Sequence, residues 1–488
     1  MFSTQHLANG QRMTSFAYNN NRQVTDIAHA SGRVERFRYN AALKLEQAGN
    51  ALGEFVRRDF DVGTNTATIR SNRHTPSLSG STPVAVAAGE FVARTRFDSL
   101  RRPWVHSGNG GQQASFGYDN NGNLKTRTDA AGRITLYDYD AQNRPIKATA
   151  PDGGATLFGY DAEGRLAWVQ DPRGLRTTFT YNGLGQVLAR MSPDTGSTTY
   201  TYDTAGRLAT ETRADGVTVA YAWDALDRLR SRTASGVTET FTYDEGSYGR
   251  GRLTRINDAT GQTTFEYNAA GEPIRQVNTI FGTSYTTTQN FDAAGRLTGM
   301  TYPSGLQLAY GYDGAGRLAS VSAYLNGQWT TLADAMLYQP ATNRLYAWRY
   351  GNGLPRLVTP DADGRVSLLD SGAAHKLGFG YHSTDTIQSL TDHVYPALNA
   401  GFGYDANDRL TAVSRSADAQ SFGWDRVDNR TAHSRAGTGY GYTLDGTSNR
   451  LVAWSGGGAW RNFGYNAVGN LANESRHDGS RVYGYDAF

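Results

Sequence analysis

The sequence predicts an all-β repeat protein, on three observations. A short motif recurs along nearly the whole chain, the residues between motifs alternate with period two, and glycine is plentiful where proline is not. An aromatic residue followed by Asp or Asn stands at Phe97, Tyr118, Tyr139, Tyr160, Tyr181, Tyr202 and Trp223, every 21 residues. The same beat opens the chain at Tyr18, Tyr39 and Phe60, and after Trp223 it loosens to intervals of 18 to 26 residues, ending at Tyr465 and Tyr485. The 57 glycines against 13 prolines in 488 residues fit a chain of many turns.

A 21-residue period equals three heptads, but Gly206 and Gly216 would each cost about 1 kcal/mol inside a helix, and no apolar seam persists. In the unit Thr201–Tyr221, Val217, Val219, Tyr221 and Trp223 share one face while Thr218, Ala220 and Ala222 share the other, which is strand periodicity. Each repeat therefore reads as two strands of roughly six residues joined by two turns. In the first turn Asp203 can cap backbone amides and Gly206 supplies a positive φ. The second, Asp215-Gly216, matches a two-residue hairpin signal, as do Asp152-Gly153 and Asp478-Gly479.

Arginine follows the turn glycine at Arg165, Arg207, Arg296 and Arg317, and Arg144, Arg228 and Arg409 align with it. The expectation is a ladder in which each guanidinium forks onto a repeat aspartate and onto carbonyls of the adjacent turn. The plainer reading is a solvated turn charge. Some forty strands at about 4.8 Å each would make a ladder on the order of 190 Å, which strand twist forces to curl, so successive windings could stack edge to edge as a wall. A β-propeller is the alternative, since two repeats match a blade and Trp223-Asp224 and Trp424-Asp425 supply a blade dipeptide. Both tryptophans, however, simply replace the repeat tyrosine.

The segments fall as 1–60, N-terminal repeats; 61–96, an irregular insertion; 97–320, regular repeats; 321–400, degenerate repeats with insertions; and 401–488, C-terminal repeats ending mid-repeat. The stretch SNRHTPSLSGSTPVAVAAG within the insertion has the Ser/Thr/Pro bias of a surface loop. Tyr485-Asp486-Ala487-Phe488 begins a turn without its glycine, as expected of a fragment or a truncated copy.

The run FGYDAEGRLAWVQDPRGLRTTFTYNGLGQVLA, with YDTAGRL, FDAAGRL and YDGAGRL elsewhere, resembles the YD repeats of the RHS family. That family includes bacterial polymorphic toxins, the C component of insecticidal toxin complexes and the shell domain of teneurins. The resemblance implies a continuous, spiralling β-sheet shell or part of one. It also implies a structural role, encapsulating or scaffolding a C-terminal toxin absent from this chain, with covalently linked cargo or a secretion apparatus as partner and a secreted or cell-surface location. The alternative is adhesion or carbohydrate binding through exposed aromatic and arginine rows, with a glycan or cell-surface partner.

Composition narrows the chemistry. The absence of cysteine excludes disulfides and thiol catalysis. A net charge of +3 makes nucleic acid no default partner, and no apolar run reaches membrane-span length. The N-terminal MFSTQHLANGQRMTSF lacks the apolar run of a signal peptide. Basic residues are arginine except Lys44, Lys125, Lys147 and Lys376. His375, His382 and His393, with Asp385 and Asp392, form a loose cluster without metal-ligand spacing. Asp119, Asn121 and Asn123 begin like a calcium loop, but Leu124 stands where its glycine belongs. Asp171-Pro172-Arg173-Gly174 superficially resembles the family's self-cleavage element but lies inside a regular repeat. Gly437, Gly439 and Gly441 alternate like one strand face, not like a phosphate cradle. No catalytic, cofactor-binding or metal residue is assigned, no cofactor is expected, and the protein is expected not to be an enzyme.

Overall fold

The computed structural model describes residues 2–7, 10–29, 33–50, 52–340 and 342–486. Ala487 and Phe488, on which the expectation of a mid-repeat ending falls, lie outside the described residues. The fold is all-β, as expected: 44 strands belong to one sheet, and the one other regular element among the described residues is a 3-10 turn at Pro396–Leu398. Successive strands pair antiparallel, for example Gly196–Tyr202 with Leu208–Thr212, where Thr201 faces Thr210. The aromatic that opens each turn sits at a register shift, as at Thr201/Tyr202 and Ala222/Trp223. Trp223 and Trp424 occupy tyrosine positions in this ladder, and among the described residues no separate blades are formed.

Most turns on both edges share one geometry, which corrects the two-residue reading of Asp215-Gly216. Arg213 N donates to the Val217 carbonyl and Gly216 N to the Arg213 carbonyl, both at 2.9 Å. The loop is thus three residues, Ala214 to Gly216, closed by a glycine at φ +82°. Asp152-Gly153 closes the same way through Ala150 and Gly154. The residue preceding the aspartate makes room for an ordinary turn before glycine takes the left-handed conformation. At Asp478-Gly479 the loop is His477-Asp478, because Gly479 already pairs with Arg476. True two-residue loops with positive φ at both positions occur instead at Ser235-Gly236, Phe281-Gly282, Asn326-Gly327 and Ala436-Gly437.

The stretch expected as a surface loop is a long hairpin. Thr66–Ser79 pairs with Thr82–Phe97 from Thr66↔Arg96 to Ser79↔Thr82, with one irregularity at Asn72/His74. Its Val, Thr and Ala content suits a pleated surface, and Pro76 and Pro83 are carried within paired strands. Large hydrophobic cores are absent among the described residues. One cluster is buried, Tyr346, Ala347 and Leu357, with Leu337 and Val358 against it. Cohesion therefore rests on the ladder and its turns.

The chain divides into two compact units, residues 1–113, 241–380 and 391–394, and residues 114–240, 381–390 and 395–488. Within the second unit, one face of the strands from Arg176 to Thr240 carries Thr178, Thr180, Thr199, Thr201, Thr210 and Thr212 by register. Hydroxyls pair across it, Thr201 with Thr210 at 2.6 Å and Thr233 with Thr238 at 2.9 Å. The opposite face carries Phe179, Tyr181, Tyr200, Tyr202, Tyr221 and Trp223.

Candidate functional site

The recurring turn is the feature most fully built. Asp203 Oδ1 accepts the amides of Ala205 and Arg207, each at 2.9 Å, and Oδ2 accepts Arg207 Nε at 2.8 Å. Arg207 Nη1 then reaches the next repeat, donating to the Asp224 carbonyl at 3.0 Å and Asp227 Oδ1 at 2.7 Å. Arg165 bridges likewise to the Asn182 carbonyl at 2.8 Å. The guanidinium ladder is therefore formed at these rungs. Each bond is charge-assisted, and the planar fork meets several acceptors at once.

The repeat aromatic adds a second link. Tyr202 Oη donates to the Val187 carbonyl at 2.9 Å and Tyr181 Oη to the Leu166 carbonyl at 2.8 Å. Tryptophan preserves the link, since Trp223 Nε1 donates to the Leu208 carbonyl and Trp424 Nε1 to the Leu410 carbonyl, both at 2.8 Å. Arginine also covers the next ring: Arg144 lies 4.3 Å from the Tyr160 centroid, Arg165 4.8 Å from Tyr181 and Arg296 4.7 Å from Tyr312. One repeat thus holds the next by carboxylate, guanidinium and phenol together.

Reading only Asp and Arg missed neutral versions of this clamp. Asn182 Oδ1 caps Leu184 and Gln186, its Nδ2 donates to Gln186 Oε1 at 2.7 Å, and Gln186 Nε2 donates to the Gly206 carbonyl at 2.7 Å. Asn19 and Gln23 do the same toward the Leu43 carbonyl. The four-residue spacing was the available signal.

Turns far apart in sequence also mesh within each unit. In the second unit, Arg133 Nη1 donates to the Asp405 carbonyl at 3.0 Å and Nη2 to Asp408 Oδ1 at 2.8 Å. Arg409 Nη2 donates to Asp152 Oδ2 at 3.1 Å, and Arg173 binds the carbonyls of Asp445 and Ser448 at 2.7 and 2.6 Å. Asp194 Oδ1 accepts the Asn449 amide at 2.6 Å. The turns at 129–133, 150–154, 171–175 and 192–196 thus meet Asp405, Arg409, Asp445 and Asn449, so two edges with a common pitch lie in register. In the first unit, Glu54 faces Arg317 Nη1 at 3.2 Å, and Gln339 seals the irregularity at His74 with bonds of 2.6 and 3.1 Å to its carbonyl and amide. Asp363 receives the amides of Asn109 and Gly110 at 2.6 and 2.8 Å. Burial opposes ionisation of Asp363, but the Asn109 amide and side chain, Gln112 and Gly110 outweigh it and hold the carboxyl below its ordinary range.

The weaker chemical candidates are placed as follows. His375 Nδ1 lies 2.8 Å from Arg356 Nη1, while His393 N donates to the Lys376 carbonyl; in the other unit, His382 packs edge-on against Tyr404. Among the described residues no three His, Cys, Asp or Glu side chains are grouped to hold a metal ion. Asp119 Oδ1 caps Asn121 and Asn123 at 2.9 Å. Asp171 Oδ1 caps Arg173 and Leu175 at 2.9 Å, and its Oδ2 accepts Asn449 Nδ2 at 2.8 Å. Gly439 and Gly441 lie in the strand Thr438–Leu444 and flank Tyr440. Beside it Phe422, His433 and Tyr440 stack at 4.9 and 5.4 Å, covering one another's faces. Two clefts in the first unit, about 420 and 280 Å³, lie beside Glu54 and Arg317 and beside Tyr346 and Asp363. No helix among the described residues is long and apolar enough to cross a membrane.

Comparison with known proteins agrees with this geometry. The Teneurin YD-shell family model matches residues 104–222, and the RHS Repeat model matches residues 248–282 and 291–324. The Tc holotoxin pore of Photorhabdus luminescens superposes with a TM-score of 0.65 at 14% identity, covering 95% of this chain and 29% of that one. A TcdB2-TccC3 complex without its hypervariable C-terminal region superposes with a TM-score of 0.67 at 16% identity, covering 95% and 29%. At such identities the likeness is one of fold. The Escherichia coli O157:H7 autotransporter adhesin EhaG is 24% identical over 172 residues, 35% of this chain and 10% of that protein. The chain thus spans about a tenth of that relative and under a third of these solved chains.

Proposed function

Starting from a chain that carries RHS/YD repeats and shares the fold of the toxin complexes, we propose that it is wall in an RHS-type shell that encloses or scaffolds a toxin or effector segment. The supporting observation is the turn-to-turn meshing within each unit, because edges locked in register leave few exposed strand ends for proteases to engage. The action is steric, with no bond chemistry of its own, so the chain is read as non-enzymatic. Partners are then covalently linked cargo or a secretion apparatus, at an extracellular or surface location in line with the likeness to a toxin complex and an adhesin. The test fuses an unstructured reporter polypeptide to the C-terminus and follows its digestion. Containment requires the reporter to outlast the same reporter free in solution until the wall is denatured; equal digestion rates refute it.

Adhesion is the second reading, favoured by the EhaG likeness. Sugar stacking needs free ring faces, whereas the rings of Tyr160, Tyr181 and Tyr312 already carry guanidinium groups. Aromatic-dependent binding on a glycan array would support adhesion over containment.

A further inference from the structure

We infer that the smaller cleft of the first unit binds a small aromatic acid, two fused apolar rings carrying one carboxylate. Phe91, from the hairpin strand Thr82–Phe97, stands on one side of it. Tyr346, Val358, Pro360 and Val366, from the strands Leu345–Tyr350, Pro355–Pro360 and Val366–Asp370, complete its apolar wall. Tyr346 and Pro360 are buried. A carbon-lined cavity of ~150 Å³ holds one benzene ring, so about 280 Å³ has room for two.

The polar groups at the cleft are of two kinds. Gln339 and Asp363 line it, but Gln339 turns both ends of its amide to the His74 backbone, at 2.6 and 3.1 Å, and Asp363 takes the Asn109 and Gly110 amides at 2.6 and 2.8 Å. These bonds tie the turns at 339–344 and 361–365 to their neighbours, so the cleft keeps its width, and they leave both groups little to offer water. An apolar body displaces such weakly held water at small cost. The second kind is cationic. Arg344 lines the cleft with its side chain exposed and reaches the Gly364 carbonyl at a long 3.4 Å. Arg73 likewise meets carbonyls, Ala88 at 2.6 Å and Pro360 at 3.5 Å. The acids alongside have other partners: Asp361 pairs with Arg365 at 2.7 Å, and Asp363 has its amides. Around the cleft Arg73, Arg344 and Arg365 thus face Asp361 and Asp363, an excess of positive charge that carbonyls do not neutralise. With the rings against Phe91 and Tyr346, a carboxylate at the rim meets the Arg344 fork, the planar pairing that guanidinium favours.

The test is calorimetric titration of the 488-residue chain with 2-naphthoate, beside 2-naphthamide as its uncharged isostere. Saturable binding of the acid is expected, with a Kd of about 10 µM to 1 mM for a ligand of this size, and the amide should bind at least about tenfold more weakly. Arg344→Met should weaken the acid at least about tenfold and leave the amide within about twofold, since it removes only the charged contact. Val366→Trp, which fills the cleft, should abolish binding of both. Hydrogen exchange is followed in parallel: amides at 344–346 and 364–366 should gain protection on adding the acid, while equal protection elsewhere certifies each variant's fold. If the tryptophan variant loses that protection, Arg344→Met and the exchange pattern decide. No saturable binding up to about 5 mM, an amide that binds as tightly as the acid, or acid binding that folded Arg344→Met keeps in full overturns the inference.

Discussion

Replacing Arg409 by methionine tests the clamp where it acts in three directions. Its Nε donates to Asp405 Oδ2 at 2.7 Å, Nη1 to the Asp425 carbonyl and to Asp428 Oδ1, and Nη2 to Asp152 Oδ2 at 3.1 Å, with the side chain 13% exposed. An exposed ion pair is worth about 0.2–1 kcal/mol, whereas breaking a buried pair costs about 3–5 kcal/mol. Arg409 lies between these limits, and its removal leaves the Asp405 and Asp152 carboxylates without their shared cation. The expected cost is about 2–3 kcal/mol, on hydrogen bonds to charged groups worth about 1.5–3 kcal/mol each before solvent screening. In a repeat protein that loss is local. Native-state hydrogen exchange should therefore show protection falling about thirty- to hundredfold at the turns near 152, 405 and 425, at 1.36 kcal/mol per decade. Arg409→Lys should recover less than half, since one ammonium cannot span the acceptors of the fork. Arg435→Met, at a side chain 60% exposed, should leave protection unchanged. If Arg409→Met exchanges like the parent chain, the ladder contributes nothing and the reasoning fails.

Two further outcomes follow from the same physics. Tyr346 Oη is buried without a hydrogen-bond partner, and burial together with nearby Glu54 pushes its pKa up to about 12. Tyr346→Phe should then raise stability by about 1 kcal/mol in urea titration, by removing an unpaired hydroxyl; a loss instead would mean that the hydroxyl has a partner. In acid, burial raises the carboxyl pKa values of Asp129 and Asp405, but the Arg133 and Arg409 amides and side chains outweigh it and hold both low. Their folded pKa values lie below the unfolded ones, so their stabilisation is complete above the ordinary carboxylate range and is lost as pH falls through the folded values. Denaturation midpoints followed from pH 7 to about 2 should be flat at first and fall progressively below about pH 5; a midpoint independent of pH there would sink the electrostatic account.

Much of the molecule was legible before any coordinates. Period-two alternation between Asp-x-x-Gly-Arg turns specified strands, and the arginine after each glycine indicated a fork onto the neighbouring turn, as Arg207 makes to Asp224. What stayed hidden had physical causes. Asp215-Gly216 fits a two-residue or a three-residue loop, and the choice depends on where the flanking pairs close, here Thr212↔Thr218. The Ser/Thr/Pro-rich stretch reads as loop until its pairing with Thr82–Phe97 is known. Asn182 and Gln186 lack the charge that draws attention, yet they make the same bonds.

Local chemistry determined the strand rhythm, the turn edges and the intrarepeat bonds, because each depends on residues within about one period of one another. Tertiary structure alone decided which distant turns meet. Asp152 and Arg409, or Asp194 and Asn449, share no sequence pattern that marks them as partners. Their meeting depends on how twist accumulates over many intervening strands, and small differences per strand sum into a register that no single repeat encodes.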